Sequence, residues 1–390
     1  AHTGLADEDG VVLGPTAEHL HDALGLASSP DHRVELLVGG ELGQVPTELI
    51  QDQRTRLGVA AGIRSWEKQT HEAFEASNAK ASSIARSIRA YSGSNSSKRV
   101  SREAVEQLLA SRRIDALGRP VLTEQVQQWL LQAFMPVFEI ERLGPFDDPG
   151  RVSLDETGTA IVDPTKPTIY TRLAYTSEGG RQLVQLIYTV WFTERPARST
   201  FDIYAGRLDG VTIRLTLNER GQPAVVDSIH PCGCYHQFFH TVHAKPLPKP
   251  GRLSSSEEWR FMPTTELAIP VQTELTRLTV TMTSGEHYLH RVAFKPPVGR
   301  QGTTAKVIPA AVLPEGVLTS LALGSRQERR SLYGSDGIVP GTERSERWLL
   351  WPMGIKSAGA MRQSGTQATA FVGRRHFDDG DIIDSRFDIP

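Results

Sequence analysis

The sequence predicts an α+β protein in which an N-terminal helical region precedes a mostly antiparallel β-sheet domain and a mixed C-terminal segment. Apolar residues recur every three or four positions before about residue 140, which is the spacing of a helix face. From about residue 165, short runs rich in β-branched and aromatic residues are separated by turn sequences, which is typical of strands. The predicted units are 1–145, mainly helical; 146–300, an antiparallel β-rich domain; and 301–390, a mixed helix and loop segment packed on the sheet.

Three helices are predicted in the N-terminal unit. The clearest is TEQVQQWLLQAF, where apolar residues keep helical spacing behind Thr123, a residue type that caps helix N-termini. Another begins after Ser101, with Val105 and Leu109 on one face. A long upstream helix is predicted from apolar residues at helical spacing: Ile63, Trp66, Ile84, Ile88 and Tyr91.

Three hairpins make up the predicted sheet. TIYTRLAYT and RQLVQLIYTVWF flank SEGG, and the second arm is apolar on both faces, as a central strand would be. VTIRLTLN turns at NERG and returns through QPAVVDSIH. RLTVTMT and HYLHRVAF turn at Ser284 and Gly285, which places His287 and His290 on the strand after the turn. Beyond residue 300, PEGVLTSLAL predicts a further helix.

Composition excludes several classes of function. The formal net charge is −2, so the chain lacks the basic excess of a nucleic-acid binder. No apolar run approaches the roughly 20 residues needed to cross a bilayer, so no membrane span is predicted. A small-molecule substrate is the expected partner, and no oligomeric state is indicated. Because the chain starts with AHTGLADEDG and no methionine, as a processed exported protein would, an exported or periplasmic location is favoured over the cytoplasm.

The stretch HPCGCYHQFFHTVH, residues 230–243, holds both cysteines of the chain and four of its twelve histidines. Soft sulfur beside imidazole suits zinc, copper or iron, so a bound transition-metal ion is the predicted cofactor. Pro231 and Gly233 predict a turn. From Cys234 onward a helix is predicted, since Tyr235, Phe238, Phe239 and Val242 follow helical spacing.

The predicted metal ligands are Cys232, His236 and His240, which share one side of that helix. The reserve ligands are His230, Cys234, His243 and His290. An open coordination position would allow the metal to act on a substrate, which favours a metal-dependent enzyme, an oxidoreductase before a hydrolase. The residues expected to take part in catalysis are Cys232, Cys234 and His236. Asp227 and Glu286 could orient a ligand imidazole, although surface or turn positions are expected for both.

Two other hypotheses remain open. The first is a thiol-disulfide redox protein that uses Cys232 and Cys234; an extended backbone would place their Cα atoms roughly 6.6 Å apart, at the edge of disulfide geometry, so the bond would be easily reduced. The second is a non-catalytic binding or structural protein in which the cysteines and aromatic residues are ordinary core. A Cys234→Ser substitution separates the redox pair from a metal held by Cys232 and the histidines.

Overall fold

The computed structural model describes residues 87–94, 100–111, 113–198, 202–247, 264–269, 275–295, 307–350, 357, 359–366, 377 and 379–390. Its helices are α1 (Arg102–Ala110), α2 (Glu124–Ala133), the one-turn α3 (Arg347–Leu350), and 3-10 turns at Pro145–Asp147 and Glu315–Thr319. The strands of the main sheet are β1 (Ser87–Gly93), β4 (Val137–Arg142), β7 (Thr168–Glu178), β8 (Arg181–Arg195), β9 (Gly206–Leu217), β10 (Pro223–Ile229), β11 (Gln237–Thr241), β13 (Thr264–Leu267), β14 (Arg277–Met282), β15 (Leu289–Lys295) and β16 (Val307–Pro314). Short two-stranded sheets pair β2 (Arg113–Ile114) with β3 (Pro120–Val121), β5 (Arg151–Leu154) with β6 (Ala160–Asp163), β12 (Lys245–Pro246) with β19 (Phe387–Asp388), and β17 (Leu321–Ala322) with β18 (Arg329–Arg330).

One large mixed sheet dominates the described chain. Its 11 strands follow the order β13-β11-β10-β9-β8-β7-β16-β1-β4-β14-β15. Strand β16 runs parallel to both of its neighbours, and β11 with β13 and β4 with β14 are also parallel pairs. The edge strands β13 and β15 contact each other, so the sheet curls until it is nearly closed and resembles a barrel.

The predicted α+β class is wrong, because the described chain is mostly β and its sheet is mixed. Ile88 and Tyr91, expected on a long helix, lie in β1, between β4 and β16. The helical spacing of these residues is overridden because backbone pairing on both sides of β1 and burial of Tyr91 require an extended strand. The rest of the predicted long helix lies outside the described residues. The sheet takes strands from all three predicted units, and the unit boundaries stay a prediction.

The two shorter helices are confirmed, with the expected caps. Ser101 Oγ accepts a hydrogen bond from the Ala104 N–H (3.1 Å) at the start of α1. Thr123 Oγ1 accepts one from the Val126 N–H (3.4 Å) at the start of α2. The helix predicted at PEGVLTSLAL forms only the short 3-10 turn at residues 315–319. In the part of the chain described, no helix combines the length and apolar character needed to span a membrane.

The three predicted hairpins are confirmed, and alternation along their strands builds the main core. Along β8, the even-numbered residues from Val184 to Phe192 enter this core, while Trp191 on the opposite face joins a second cluster. Val105 of α1 and Leu130 of α2 complete the main core. The second cluster contains both cysteines, so they lie beside the end of β8 and away from the main core.

Candidate active site

The helix predicted from Cys234 onward is wrong. The His230 N–H donates to the Cys234 carbonyl (3.0 Å) and the Gly233 N–H donates to the His230 carbonyl (2.8 Å), so residues 230–234 form a tight turn, and β11 begins at residue 237. Phe238 and Phe239 point to opposite faces of β11 and enter different hydrophobic clusters. Because both faces of this strand are covered, its apolar residues produced the spacing that favoured a helix.

The structure does not assemble the predicted metal ligands into one centre. His236 Nε2 lies 2.8 Å from Asp227 Oδ2, both groups fully buried, so Asp227 is not the surface residue that was expected. His240 lies on β11, His243 follows that strand, and His290 lies on β15. Among the residues that the structure describes, no three His, Cys, Asp or Glu side chains are grouped so that they could hold a metal ion. Uptake of zinc, copper or iron by rearrangement of these side chains stays a prediction.

Three residues of the predicted cluster do meet in one pocket. The pocket comprises about 370 Å³ of space between atoms, part of it open to solvent. It is lined by the end of β8, the start of β9, the turn after β10, and Arg344, Glu346, Gly359 and Met361. Its polar and sulfur-bearing lining includes Arg195, Asp209, His230, Cys232, Cys234 and Glu346. No disulfide joins the two cysteines in this structure, and both are nearly buried, with 7% and 8% of their surfaces exposed. The pocket therefore combines two thiols with an imidazole and a carboxylate.

A line of buried carboxylates and imidazoles leads into this pocket. Asp209 Oδ1 lies 3.4 Å from His230 Nδ1, and Asp209 Oδ2 lies 2.8 Å from His287 Nδ1. His287 Nε2 lies 3.5 Å from Asp147 Oδ1, an ion-pair distance at the limit for a hydrogen bond. The His287 ring stacks on Phe192, with centroids 3.7 Å apart. The order Asp147, His287, Asp209, His230 fixes the orientation of the last imidazole.

The surroundings of the two histidines shift their pKa values in opposite directions. Burial alone would lower the pKa of His287, but the nearby carboxylates of Asp147 and Asp209 outweigh this effect and raise that pKa above its ordinary value. Burial lowers the pKa of His230 despite its contact with Asp209. Burial alone would raise the pKa of Asp209, but its contacts with His230 and His287 hold that pKa well below the usual range. At neutral pH, His230 is therefore a neutral imidazole next to an ionised carboxylate.

Removal of the buried imidazolium should destabilise the protein in a pH-dependent way. Asparagine tolerates the left-handed backbone of residue 287. In His287→Asn we expect the free energy of unfolding to fall by about 3 kcal/mol at pH 6, because two buried carboxylates lose one of their charged neighbours. The folded-state pKa of His287 is raised, so its stabilisation is complete below the unfolded value, about 6.5, and disappears as the pH rises through the folded value. Urea unfolding of both proteins at pH 6 and pH 9 should show a smaller difference at pH 9.

The control for this substitution is His290→Asn, because His290 is half-buried on β15 and contacts neither Asp147 nor Asp209. We expect this variant to lose less than about 1 kcal/mol. Because burial lowers the pKa of His290, any pH dependence should have the opposite sign, with a larger loss at pH 9 than at pH 6. An equal loss in the two variants, or a His287→Asn difference that grows with pH, would contradict a buried imidazolium.

Strained backbone is concentrated at this site. The non-glycine residues with left-handed backbone in the described chain are Leu208, Tyr235 and His287, with φ of 54°, 60° and 53°. Leu208 precedes Asp209, Tyr235 lines the pocket, and His287 contacts Asp209. Each such residue costs on the order of 1–3 kcal/mol, and residues of this kind cluster where function requires a fixed geometry. The strain therefore supports a functional role for the pocket.

Gly210 allows the cysteine turn to pack closely on the sheet. A Cβ atom at this position would lie 2.8 Å from the Val190 carbonyl oxygen and 3.0 Å from Pro231 Cγ. Any side chain at residue 210 would therefore push the turn away from β9 and from Asp209. In the sequence, only the glycine of the Asp209-Gly210 pair points to this close contact. The pattern of strand residues around it gives no further indication.

A buried arginine lies next to the thiols. Arg362 is 2% exposed. Its backbone N–H donates to the Pro231 carbonyl (3.1 Å), and its side-chain Nη2 donates to Ser357 Oγ (2.8 Å). Its Nε has no hydrogen-bond partner among the described residues. Burial lowers the pKa of Arg362, and the charges of Cys232 and then Asp336 and Cys234 act against this effect. Of the two thiols, Cys232 therefore interacts more strongly with the guanidinium.

The sequence pattern predicts Cys232, Cys234 and His230 as site residues, but it does not predict the charged side chains that line the pocket with them. Asp209, Arg195 and Glu346 come from separate elements, and no local motif links them to the cysteine turn. The prediction that His287 lies on a strand is wrong. This residue precedes β15, which begins at Leu289, because its left-handed backbone cannot belong to a strand. The signal that could have indicated it is a histidine directly after a Ser-Gly turn, where a side chain is held at the end of a sheet.

No family model, curated protein or solved structure matches this chain.

Proposed function

We propose that the pocket is the active site of a thiol-disulfide oxidoreductase that acts on a small-molecule disulfide through Cys232 and Cys234. The observation that supports this proposal is that both thiols line the same pocket as His230 and its partner Asp209. Two thiols that can join in one disulfide, beside a neutral imidazole, have the groups that disulfide exchange requires. The limited exposure of both cysteines favours a small molecule over a protein as the substrate.

The reaction is two successive exchanges. The Cys232 thiolate attacks one sulfur of the substrate disulfide, so a new S–S bond forms, the substrate S–S bond breaks, and one substrate thiolate leaves. Cys234 then attacks the Cys232 sulfur, which forms the Cys232–Cys234 disulfide and releases the second substrate thiolate. Two protons pass from the protein thiols to the departing thiolates. The protein loses two electrons and the substrate disulfide gains them.

Cys232 is the attacking thiol in this scheme because the buried guanidinium of Arg362 interacts more strongly with it than with Cys234. The thiolate is the nucleophile in disulfide exchange. His230 accepts the thiol proton and returns it to the leaving thiolate. Since its Nδ1 faces Asp209, Nε2 is the ring nitrogen that exchanges the proton.

The direct test of this assignment uses Cys234→Ser and bis(2-hydroxyethyl) disulfide, a small uncharged probe. With the second thiol removed, the first exchange proceeds and the second cannot, so a mixed disulfide at Cys232 should accumulate in near-stoichiometric yield. Intact-mass analysis after acid quenching detects one mercaptoethanol adduct per chain, and peptide mapping locates it. The wild-type protein should instead lose two hydrogens and carry no lasting adduct.

Cys232→Ser is the matched control, because it leaves the other thiol in the same pocket. We expect it to form the adduct at least about tenfold more slowly, since Cys234 has the weaker interaction with Arg362. Equal adduct formation in the two variants would contradict the assignment of Cys232. No adduct in either variant would contradict thiol exchange in this pocket and favour a structural role for the cysteines.

A further inference from the structure

We propose that Arg195 is the substrate-binding residue of this pocket and that it binds a carboxylate group of the substrate. The inference rests on the proposed function and narrows its substrate class to small thiol or disulfide compounds that carry a carboxylate. It is based on a buried guanidinium that faces the pocket of the two thiols and whose nearest carboxylate, Glu286, lies closer to Arg198.

The contacts of Arg195 leave much of its hydrogen-bonding capacity unused. Arg195 is the last residue of β8 and is 8% exposed. Its Nη2 donates to the Tyr288 hydroxyl (3.2 Å) and its Nη1 to the Tyr235 hydroxyl (3.4 Å). Its Nε is buried and has no hydrogen-bond partner in the part of the chain that the structure describes. The guanidinium lies 5.4 Å from the ring centroids of both Tyr204 and Tyr288, which hold its plane in place.

The carboxylates near Arg195 do not fill this role. Glu286 Oε1 lies 3.6 Å from Arg195 Nη2 and only 2.9 Å from Arg198 Nη1, so its closer ion pair is with Arg198. Burial raises the pKa of Glu346 to about 7, so this side chain is only partly ionised at neutral pH. The carboxylate of Asp209 is held by His230 and His287, as described above. None of these groups therefore forms a close, fully charged partner for the Arg195 guanidinium.

A second buried arginine strengthens the positive potential of the pocket. Arg344 also lines it and donates to the backbone carbonyls of Arg207 (2.9 Å) and Leu208. Neutral carbonyl oxygens satisfy its N–H groups without cancelling its charge. Burial of a guanidinium without a close carboxylate costs free energy, and a bound anionic ligand would offset that cost. The planar fork of a guanidinium matches the two oxygens of a carboxylate.

The test compares alkylation of the reduced protein by iodoacetate and by iodoacetamide. Both reagents attack the same thiolate and have nearly the same size, but only iodoacetate carries a carboxylate. The ratio of the two rate constants is therefore insensitive to the fraction of thiolate. The ratio is the rate constant for iodoacetate divided by that for iodoacetamide. We expect this ratio to be at least about ten times larger for the wild-type protein than for N-acetylcysteinamide, which is the effect of one charge-assisted contact. In Arg195→Met the ratio should fall to that of the small thiol, and in Arg195→Lys it should be intermediate.

Arg198→Met is the matched control. Arg198 also contacts Glu286 and carries the same charge as Arg195, but it lies at the surface, with 61% of its side chain exposed. Its ratio should stay within about twofold of the wild-type value. If iodoacetamide labels the cysteines and the ratio equals that of N-acetylcysteinamide in the wild type, the carboxylate site is overturned while disulfide exchange stands. If neither reagent labels the native protein, both this inference and the proposed function are overturned. A ratio that falls equally in Arg195→Met and Arg198→Met would indicate general charge steering and would also overturn a specific site.

Discussion

Release of 2-mercaptoethanol from bis(2-hydroxyethyl) disulfide is expected to be at least about tenfold slower in Cys232→Ser, the larger of the functional effects that the structure predicts. A serine hydroxyl cannot form a disulfide, and the remaining thiol has the weaker interaction with Arg362. The reduced wild-type protein should release two equivalents of thiol in a single turnover. Cys234→Ser should release one, because the first exchange does not need the second cysteine.

The control for this prediction is Met361→Leu, since Met361 lines the same pocket and the substitution nearly conserves volume. Its rate of thiol release should stay close to that of the wild-type protein. Cys232→Ser retains one cysteine and can release at most one equivalent per chain. Release of that equivalent at the wild-type rate would contradict the role of Cys232.

Asp227→Ala is expected to lower the free energy of unfolding by about 3–5 kcal/mol, the largest stability effect that the structure predicts. The side chains of Arg214 and Asp227 are 1% and 0% exposed, and two hydrogen bonds of 2.9 and 2.6 Å join them. Asp227 also contacts the buried His236 (2.8 Å). Its removal leaves the Arg214 guanidinium buried without a carboxylate, although that group still donates to the Phe377 carbonyl. Urea unfolding followed by circular dichroism measures the loss.

Glu328→Ala provides the comparison, because the Glu328–Arg330 pair is exposed on both sides (49% and 54%). An exposed ion pair contributes roughly 0–1 kcal/mol, so this variant should remain close to the wild-type stability. A loss of less than about 1 kcal/mol in Asp227→Ala would show that the buried pair is not needed to hold β9 and β10 together.

Local patterns were enough to predict the hairpins and the two capped helices, because their strands and turns are neighbours in sequence. They failed where long-range pairing decides the structure. Strand β1 pairs in parallel with β16, some 200 residues later, and no periodicity within SIRAYSG indicates that partner. Strand β11 was mistaken for a helix because both of its faces are buried, so the period of two that marks a half-buried strand is lost.

The candidate site was predictable in part for the same reason. The close spacing of His230, Cys232 and Cys234 in the sequence correctly indicated residues that meet in space. Their chemistry was predicted as metal ligation because composition shows which donors are near each other but not how they point. Asp209 and His287 lie 78 residues apart, and only the meeting of β9 with the turn before β15 brings them into contact.

The most direct test of the thiol-exchange account is the redox equilibrium of the two cysteines in mixtures of reduced and oxidised glutathione. After acid quenching, intact mass gives the fraction of chains that have lost two hydrogens, and peptide mapping locates the disulfide. The account predicts a reversible two-electron transition between the dithiol and the Cys232–Cys234 disulfide, with no lasting glutathione adduct. Thiols that remain reduced in every mixture, or glutathione adducts that are never resolved into the protein disulfide, would contradict it.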